Sequence, residues 1–233
     1  MTAERESADS GPGRRLLEAS LNRPRHDATR RSYDEVAEDY AAGFRHELTR
    51  KPLDRALLAC VIEQAEAGAP IADLGCGPGH VSGWLAGRGV AAVGIDLSAD
   101  MVAISRRDHP AAEFREGDLL GLPAADGEFG AVVALYSVIH LERGELGRGL
   151  AEIRRVLRPS GPALISFHIG SEVRHVTEFL GHQVEVDFHF FEPPQVAAAM
   201  EAAGLAVEAR LERVSYPGEV DTRRGYLLAR RPA

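Results

Sequence analysis

Cysteine is scarce in this 233-residue chain: there are two, Cys60 and Cys76. Cys60 falls on the apolar side of a predicted helix and Cys76 inside a glycine turn, so neither a disulfide nor a thiol nucleophile is expected, and a reducing cytoplasm is the simpler setting. Positive charge is also short. Lys and Arg together number 27 against 35 Asp and Glu, a net charge of −8 at pH 7. Such a protein does not attract phosphate backbones through its overall field, so nucleic acid is not expected as a partner. Lys51 is the single lysine. No apolar run approaches the ~20 residues needed to span a bilayer, and MTAERESADS at the start has no apolar core, so neither a membrane nor a signal peptide is expected. There is no repeat.

The composition, 45% hydrophobic and 27% charged, is that of a chain able to bury a core. One stretch organises it, PIADLGCGPG from Pro70 to Gly79. Ile71, Ala72 and Leu74 suit a buried strand, Gly75, Gly77 and Gly79 force a sharp turn, and Val81, Trp84 and Leu85 mark one face of a following helix. Strand, glycine turn and helix N-terminus together let a ligand approach bare backbone. Asp73, at the strand's end, can take a cation or an ammonium group. Asp96 ends the apolar run AAVGID and Asp118 follows AEFREG, at near-equal intervals. Each interval fits a helix plus the next strand of a parallel sheet, which puts all three carboxylates at one sheet edge.

The set DLGCGPG, GIDLS with Met101, and EGDLLGLP resembles the class I S-adenosylmethionine-dependent methyltransferases, from about Tyr33 to the C-terminus. The NAD-type fingerprint is G-x-G-x-x-G; here Gly79 follows Gly77 by two, and an acidic residue precedes the first glycine by two. The resemblance implies an α/β fold: a mostly parallel seven-stranded sheet with helices on both faces, the last strand antiparallel, and an N-terminal helical lid. It implies S-adenosylmethionine as cofactor, with Asp73 on the methionine amino group and Gly75, Cys76 and Gly77 as the loop against the methionine part. Asp96 falls on the ribose hydroxyls, Leu97 and Met101 on adenine, Asp118 on the adenine amino group and the Leu119 N–H on a ring nitrogen. No metal is expected.

Residues 1 to about 13 read as a disordered tail. Residues 14–31 are arginine-rich and read as a solvated helix and linker, or as an anion or partner site. Tyr33, Val36, Ala37, Tyr40 and Phe44 share one helix face from Ser32 onward. YDEVAEDY resembles the lid helix of small-molecule methyltransferases, where Tyr33 or Tyr40 would touch the methionine end; both could instead only pack. Thr49 is expected to cap a second helix. Strands are expected at about 70–74, 91–95, 112–116, 129–136 and 163–168, helices at 144–157 and from Pro193 to about Ala203, and a terminal hairpin from Val207 and Tyr226. Three segments follow: lid helices 32–68, a cofactor-binding core 69–168, and a substrate-side insert with the C-terminal part 169–233.

Gly130 stands where many relatives carry Asp, which predicts only a packing difference. LYSVIH, with Tyr136, follows the fourth strand, near the transferred methyl by resemblance. His140 there, and His168 at the end of the fifth strand, are the candidate general bases; either could be structural. His168, His175, His182 and His189 recur every seventh residue, but Gly170, Gly181 and DFHFF argue against a metal-binding helix. Some of Phe188, Phe190 and Phe191 should be core and the others line a pocket for an apolar or aromatic acceptor. The expected function is methylation of a small molecule, by a monomer or homodimer. The alternatives are an RNA methyltransferase gripping through its arginines and a non-catalytic S-adenosylmethionine-binding protein.

Overall fold

A computed structural model describes residues 12–233, with side chains from Arg25 onward; most of the expected tail lies outside the described residues. The chain runs α1 (Pro12–Phe44), a 3-10 turn (Glu47–Arg50), α2 (Pro52–Gln64), β1 (Ile71–Leu74), α3 (His80–Ala86), β2 (Ala92–Asp96), α4 (Ala99–Asp108), β3 (Glu113–Glu116) and β4 (Ala131–Leu135). A second 3-10 turn (Val138–His140) leads to α5 (Leu146–Val156), β5 (Pro162–His168), β6 (Val173–Phe179), β7 (His182–His189), α6 (Pro193–Ala202), β8 (Ala206–Arg213) and β9 (Arg224–Arg230).

Seven strands form one sheet in the order β3-β2-β1-β4-β5-β9-β8. Neighbours from β3 to β5 pair parallel, and β9 alone runs against its neighbours, β5 and β8. Successive residues point to opposite faces. Ala72, Val132 and Ala134 therefore pack with Leu150 and Ile153 of α5 and Val196 and Met200 of α6. Ile71, Ala131 and Val133 pack on the other face with Leu58 and Val61 of α2 and Val81 and Leu85 of α3. The chain reverses its direction of travel between β3 and β4, so a crevice opens beside the C-terminal end of β1, the usual ligand position in open α/β sheets.

Ser98 caps α4, accepting from the Met101 N–H at 3.1 Å. Thr49 does not cap α2: its hydroxyl bonds back to the His46 carbonyl, Lys51 takes the N-cap position, and Pro52 opens the helix. A Cβ at Gly130 would fall 2.6 Å from the Ala69 Cβ, so that position admits no side chain without movement, the packing difference expected.

Two features matter for the site. The helix expected from Ser32 begins at Pro12 among the described residues and continues unbroken to Phe44. Within the expected substrate-side insert, β6 and β7 form an antiparallel hairpin, joined by Leu180-Gly181 with φ of 53° and 83°. Left-handed values at both positions suit a type I′ turn. The hairpin lies on α1 through Val184, Val186 and Val36, with the His182 ring bonded to Glu35 at 3.2 Å and Asp39 at 2.7 Å.

Candidate active site

A cavity of about 700 Å³ follows the C-terminal edge of the sheet, roofed by α1 and the hairpin. One half is walled by the glycine turn and the ends of β1, β2 and β3, the other by the ends of β4 and β5, the hairpin and the β8–β9 loop. The candidate cofactor-binding and base residues all line it: Tyr33, Asp73, Gly75, Cys76, Gly77, Asp96, Leu97, Met101, Asp118, Leu119, Tyr136, His140 and His168.

Asp73 is 2% exposed and accepts the Ser82 hydroxyl at 2.7 Å. Burial pushes its carboxyl up to about 6, against the Ser82 bond. Gly75 (φ 67°) presses on β4's continuation: a Cβ there would lie 2.3 Å from the Ser137 Cβ. Gly77 (φ 51°) is different, since its nearest neighbour would be the Tyr40 ring at 3.8 Å, which leaves room for a ligand. The Asp96 carboxylate accepts from Gly77 N at 2.7 Å and Ser98 N at 2.9 Å, so strand end and glycine turn brace each other. Burial still raises its pKa. Cys76 is buried with Val102 and Phe114; its thiol is a packing group. Met101 packs under α1 with Ala37 and Ala41.

Asp118 is doubly engaged. Its Oδ1 accepts from Leu120 N at 2.8 Å and its Oδ2 from His26 Nδ1 at 2.9 Å. His26 Nε2 lies 3.2 Å from the buried Glu145 carboxylate. The bonds to Asp118 and Glu145 raise His26 to about 9, against desolvation. Burial raises Asp118, but the His26 and Leu120 bonds overcome it and hold the group below its usual value. Next to it, Arg25 donates to the His140 carbonyl and to His189 Nε2, both at 3.0 Å, and pairs with Glu142 at 2.9 Å. In the described part of the arginine-rich segment, helical as expected, Arg25 therefore docks on the core, Arg30 pairs with Asp34 of the same helix, and Arg31 is exposed. Sequence reading missed it because charge, not apolar period, places this part of α1.

At the far half, His140 Nε2 shares a hydrogen bond with the Tyr33 hydroxyl at 3.0 Å, and its ring lies 5.3 Å from Phe188. His168 Nδ1 bonds the Thr222 hydroxyl at 2.7 Å and stacks on Phe190. Desolvation lowers both histidines to about 4, with cations nearby adding to the effect at His168. Phe191 is core, packed on Phe167, whereas Phe188 and Phe190 line the cavity. Tyr136 holds a φ of 57°, uncommon for a bulky residue. Its hydroxyl bonds Tyr226 at 2.8 Å; Tyr226 donates to the buried Asp54 at 3.1 Å and accepts from Arg213 at 2.9 Å. Arg213 grips Glu219 with two bonds, and Lys51 reaches Glu47 at 2.6 Å and Glu219 at 3.3 Å. Sequence reading missed this network. Its one signal was a lone lysine in a chain that otherwise uses arginine. The four regularly spaced histidines are dispersed, and among the described residues no group of three or more His, Cys, Asp or Glu is arranged to hold a metal.

The donor and acceptor set fits an S-adenosyl ligand: a turn with space over Gly77, a braced carboxylate at Asp96 and a second at Asp118. Comparisons with known proteins agree. A family described as methyltransferase domain matches residues 71–161. A malonyl-[acyl-carrier protein] O-methyltransferase of Pectobacterium atrosepticum is 41% identical over 100 residues, 42% of this chain and 38% of that protein. A demethylmenaquinone methyltransferase of Beutenbergia cavernae is 32% identical over 150 residues, 64% of this chain and 60% of that one. The chain thus spans 38% to 60% of the length of these relatives. The solved structure of a TehB-like S-adenosylmethionine-dependent methyltransferase from Corynebacterium glutamicum superposes with a TM-score of 0.60 at 25% identity, covering 82% of this chain and 96% of that one. No helix among the described residues is long and apolar enough to cross a membrane. This sheet order, this turn and these relatives support a class I S-adenosylmethionine-dependent methyltransferase fold carrying a methyltransferase domain over residues 71–161, and they imply S-adenosylmethionine as the cofactor.

Proposed function

We propose that the protein transfers the methyl group of S-adenosylmethionine to a small, apolar or aromatic acceptor. The observation that carries this reading is the continuous cavity that joins the glycine turn and Asp96 to a chamber walled by Tyr136, Phe179, Phe188, Phe190 and Tyr216. Aromatic walls favour a flat apolar partner through area burial and ring stacking.

The cofactor supplies a methyl group on a sulfonium, an electrophile that already carries its leaving group. The chain's own residues bind and orient. Asp73, whose charge is costly where it is buried, gains from a methionine ammonium beside it. Gly75, Cys76 and Gly77 offer backbone to the methionine part, and Asp96 keeps lone pairs for the ribose hydroxyls. Leu97 and Met101 flank adenine, Asp118 accepts from its amino group, and the Leu119 N–H meets a ring nitrogen. Tyr33 and Tyr136 close the methyl end and exclude water. Orientation of this kind lowers such barriers by ~7–11 kcal/mol. For a hydroxyl acceptor, His140 is the first candidate to take the proton and His168 the second. Both are neutral at pH 7, because burial keeps them near 4, so each can accept a proton. Each is also a weak base, which places its contribution at the low end of the ~10²–10⁴-fold range.

The test is calorimetry with S-adenosylhomocysteine, followed by transfer of labelled methyl from S-adenosylmethionine to a panel of phenols, aromatic acids and amines. Asp96→Ala should weaken S-adenosylhomocysteine about tenfold to a hundredfold, and His140→Ala should lower kcat with cofactor affinity unchanged. A folded protein that binds no S-adenosylhomocysteine would sink the reading.

A further inference from the structure

We propose that His26, carried in by the lid helix, is a cofactor-positioning residue: it fixes the Asp118 carboxylate so that the adenine amino group is read through a lid-to-core contact. The inference rests on the cofactor placement proposed above and adds a residue outside every motif that suggested it.

The geometry is specific. His26 lies in α1, far from Asp118 in sequence, and its ring is mostly buried, with 14% of the side chain exposed. It sits in the cavity wall beside Asp118, Leu119 and Tyr33. Nδ1 donates to Asp118 Oδ2 at 2.9 Å, while Leu120 N holds Oδ1 at 2.8 Å. Each carboxylate oxygen has two lone pairs. The two donors therefore lock the carboxylate's rotation and still leave acceptor capacity for an amine. Without His26 the carboxylate would be held at one oxygen only, and 37% of its side chain is exposed even with His26 in place. The contact is charge-assisted and so among the stronger hydrogen bonds.

The surrounding charges keep the imidazolium protonated. Asp118 and Glu145 face it from the core, and Arg25 precedes it on α1, engaged with Glu142, Asp187 and His189. A neutral His26 would still donate through one nitrogen, but less strongly and with a choice of tautomers.

The experiment compares S-adenosylhomocysteine with S-inosylhomocysteine, in which a carbonyl replaces the adenine amino group, by calorimetry on the full chain. Wild type should prefer the adenosyl ligand. His26→Ala should weaken S-adenosylhomocysteine about tenfold to a hundredfold and leave S-inosylhomocysteine nearly unchanged, so the preference collapses. His26→Asn, which places an amide N–H where Nδ1 stands, should restore most of the preference; His26→Gln, which reaches toward Glu145, should not. The wild-type preference should decline as pH rises through about 9 and stay flat in His26→Asn. Circular dichroism establishes that each variant is folded, and the Asn and Gln variants carry the test if the Ala variant is not. Three results overturn the proposal: unchanged affinity in His26→Ala, equal loss for both ligands, or tighter S-adenosylhomocysteine binding, which would make His26 a competitor for the amino group. Failure of wild type to bind either ligand would instead refute the cofactor placement.

Discussion

In the placement proposed above, the half of the cleft assigned to the cofactor is walled largely by backbone and one carboxylate per strand, whereas the half assigned to the acceptor is walled by side chains arriving from separate segments. In the first half, Asp73 and Asp96 lie at the ends of β1 and β2 and Asp118 just beyond β3, and the turn between β1 and α3 is bonded to the end of β2 through Gly77 and Asp96. In the second, Tyr136, His168, Phe188 and Glu219 belong to β4's continuation, β5, β7 and the β8–β9 loop. The first half is built from the sheet's own strand ends and turn, so a change there disturbs the fold along with the site. The second can change residue by residue around a fixed sheet, which is how one fold serves different acceptors.

The sharpest way to break this distinction is at Gly75. A Cβ there would overlap Ser137, and the residue's φ is 67°. Gly75→Val should therefore lose cofactor binding and stability together, at about 2–5 kcal/mol from strain and overpacking, a fall in Tm on the order of 10 °C. Calorimetry and a thermal melt check it. Normal binding in the variant would show that the turn is not part of the ligand site.

The same contrast governs what was legible. The β1–β5 core was readable because Ile71, Val93, Val133 and Ile165 sit in short buried runs punctuated by glycine and aspartate. The N-terminal part of α1 was not, because Arg25 and His26 are held by acids distant in sequence, and a charge run carries no period that names its partner. The hairpin was not either. Its turn is Leu180-Gly181, where a leucine occupies the left-handed position that usually announces itself as Asn or Gly. In β6 most residues are exposed, so no alternation survives. His140 and His168 were readable by position, yet their burial and low pKa follow from contacts with Tyr33, Phe188, Phe190 and Arg224 that no local pattern contains.

Acid should loosen the acceptor half first. His140 and His168 have folded values of about 4 against 6.5 unfolded, so the unfolded chain binds more protons between those limits. The stability they confer is complete above pH 6.5 and lost as pH falls toward 4. Asp73 acts oppositely, since its value of about 6 relieves a burial cost on protonation. Two histidines outweigh one carboxylate. Each tenfold difference in proton affinity between the folded and unfolded chain is worth about 1.4 kcal/mol, so the net loss is on the order of 3 kcal/mol by pH 4. Thermal melts from pH 7 to 4 should show Tm falling, with a shallower slope in His168→Asn. A Tm that rises on acidification would refute the assignment of buried, neutral rings.

Tyr226→Phe tests the network beneath the acceptor chamber alone. It removes the hydroxyl shared by Tyr136, Asp54 and Arg213 and leaves a buried carboxylate oxygen without its donor. Stability should fall by about 1–3 kcal/mol with S-adenosylhomocysteine affinity unchanged. A comparable loss of cofactor affinity would mean that the two halves are not separable.

The smallest effect belongs to Leu180, the exposed leucine of the hairpin turn. Its φ of 53° suits asparagine better than leucine, and Asn-Gly is the favoured pair for a type I′ turn. Leu180→Asn should relieve about 0.5–1 kcal/mol of strain and raise Tm by about 1–4 °C. Because the hairpin roofs only the acceptor side, S-adenosylhomocysteine affinity should stay as it is, while the acceptor's KM should rise through loss of an apolar contact at the cavity mouth. A lower Tm would deny the strained turn. An altered cofactor affinity would show that the hairpin transmits to the adenine side through α1, on which it lies, and would join the two halves that the fold keeps apart.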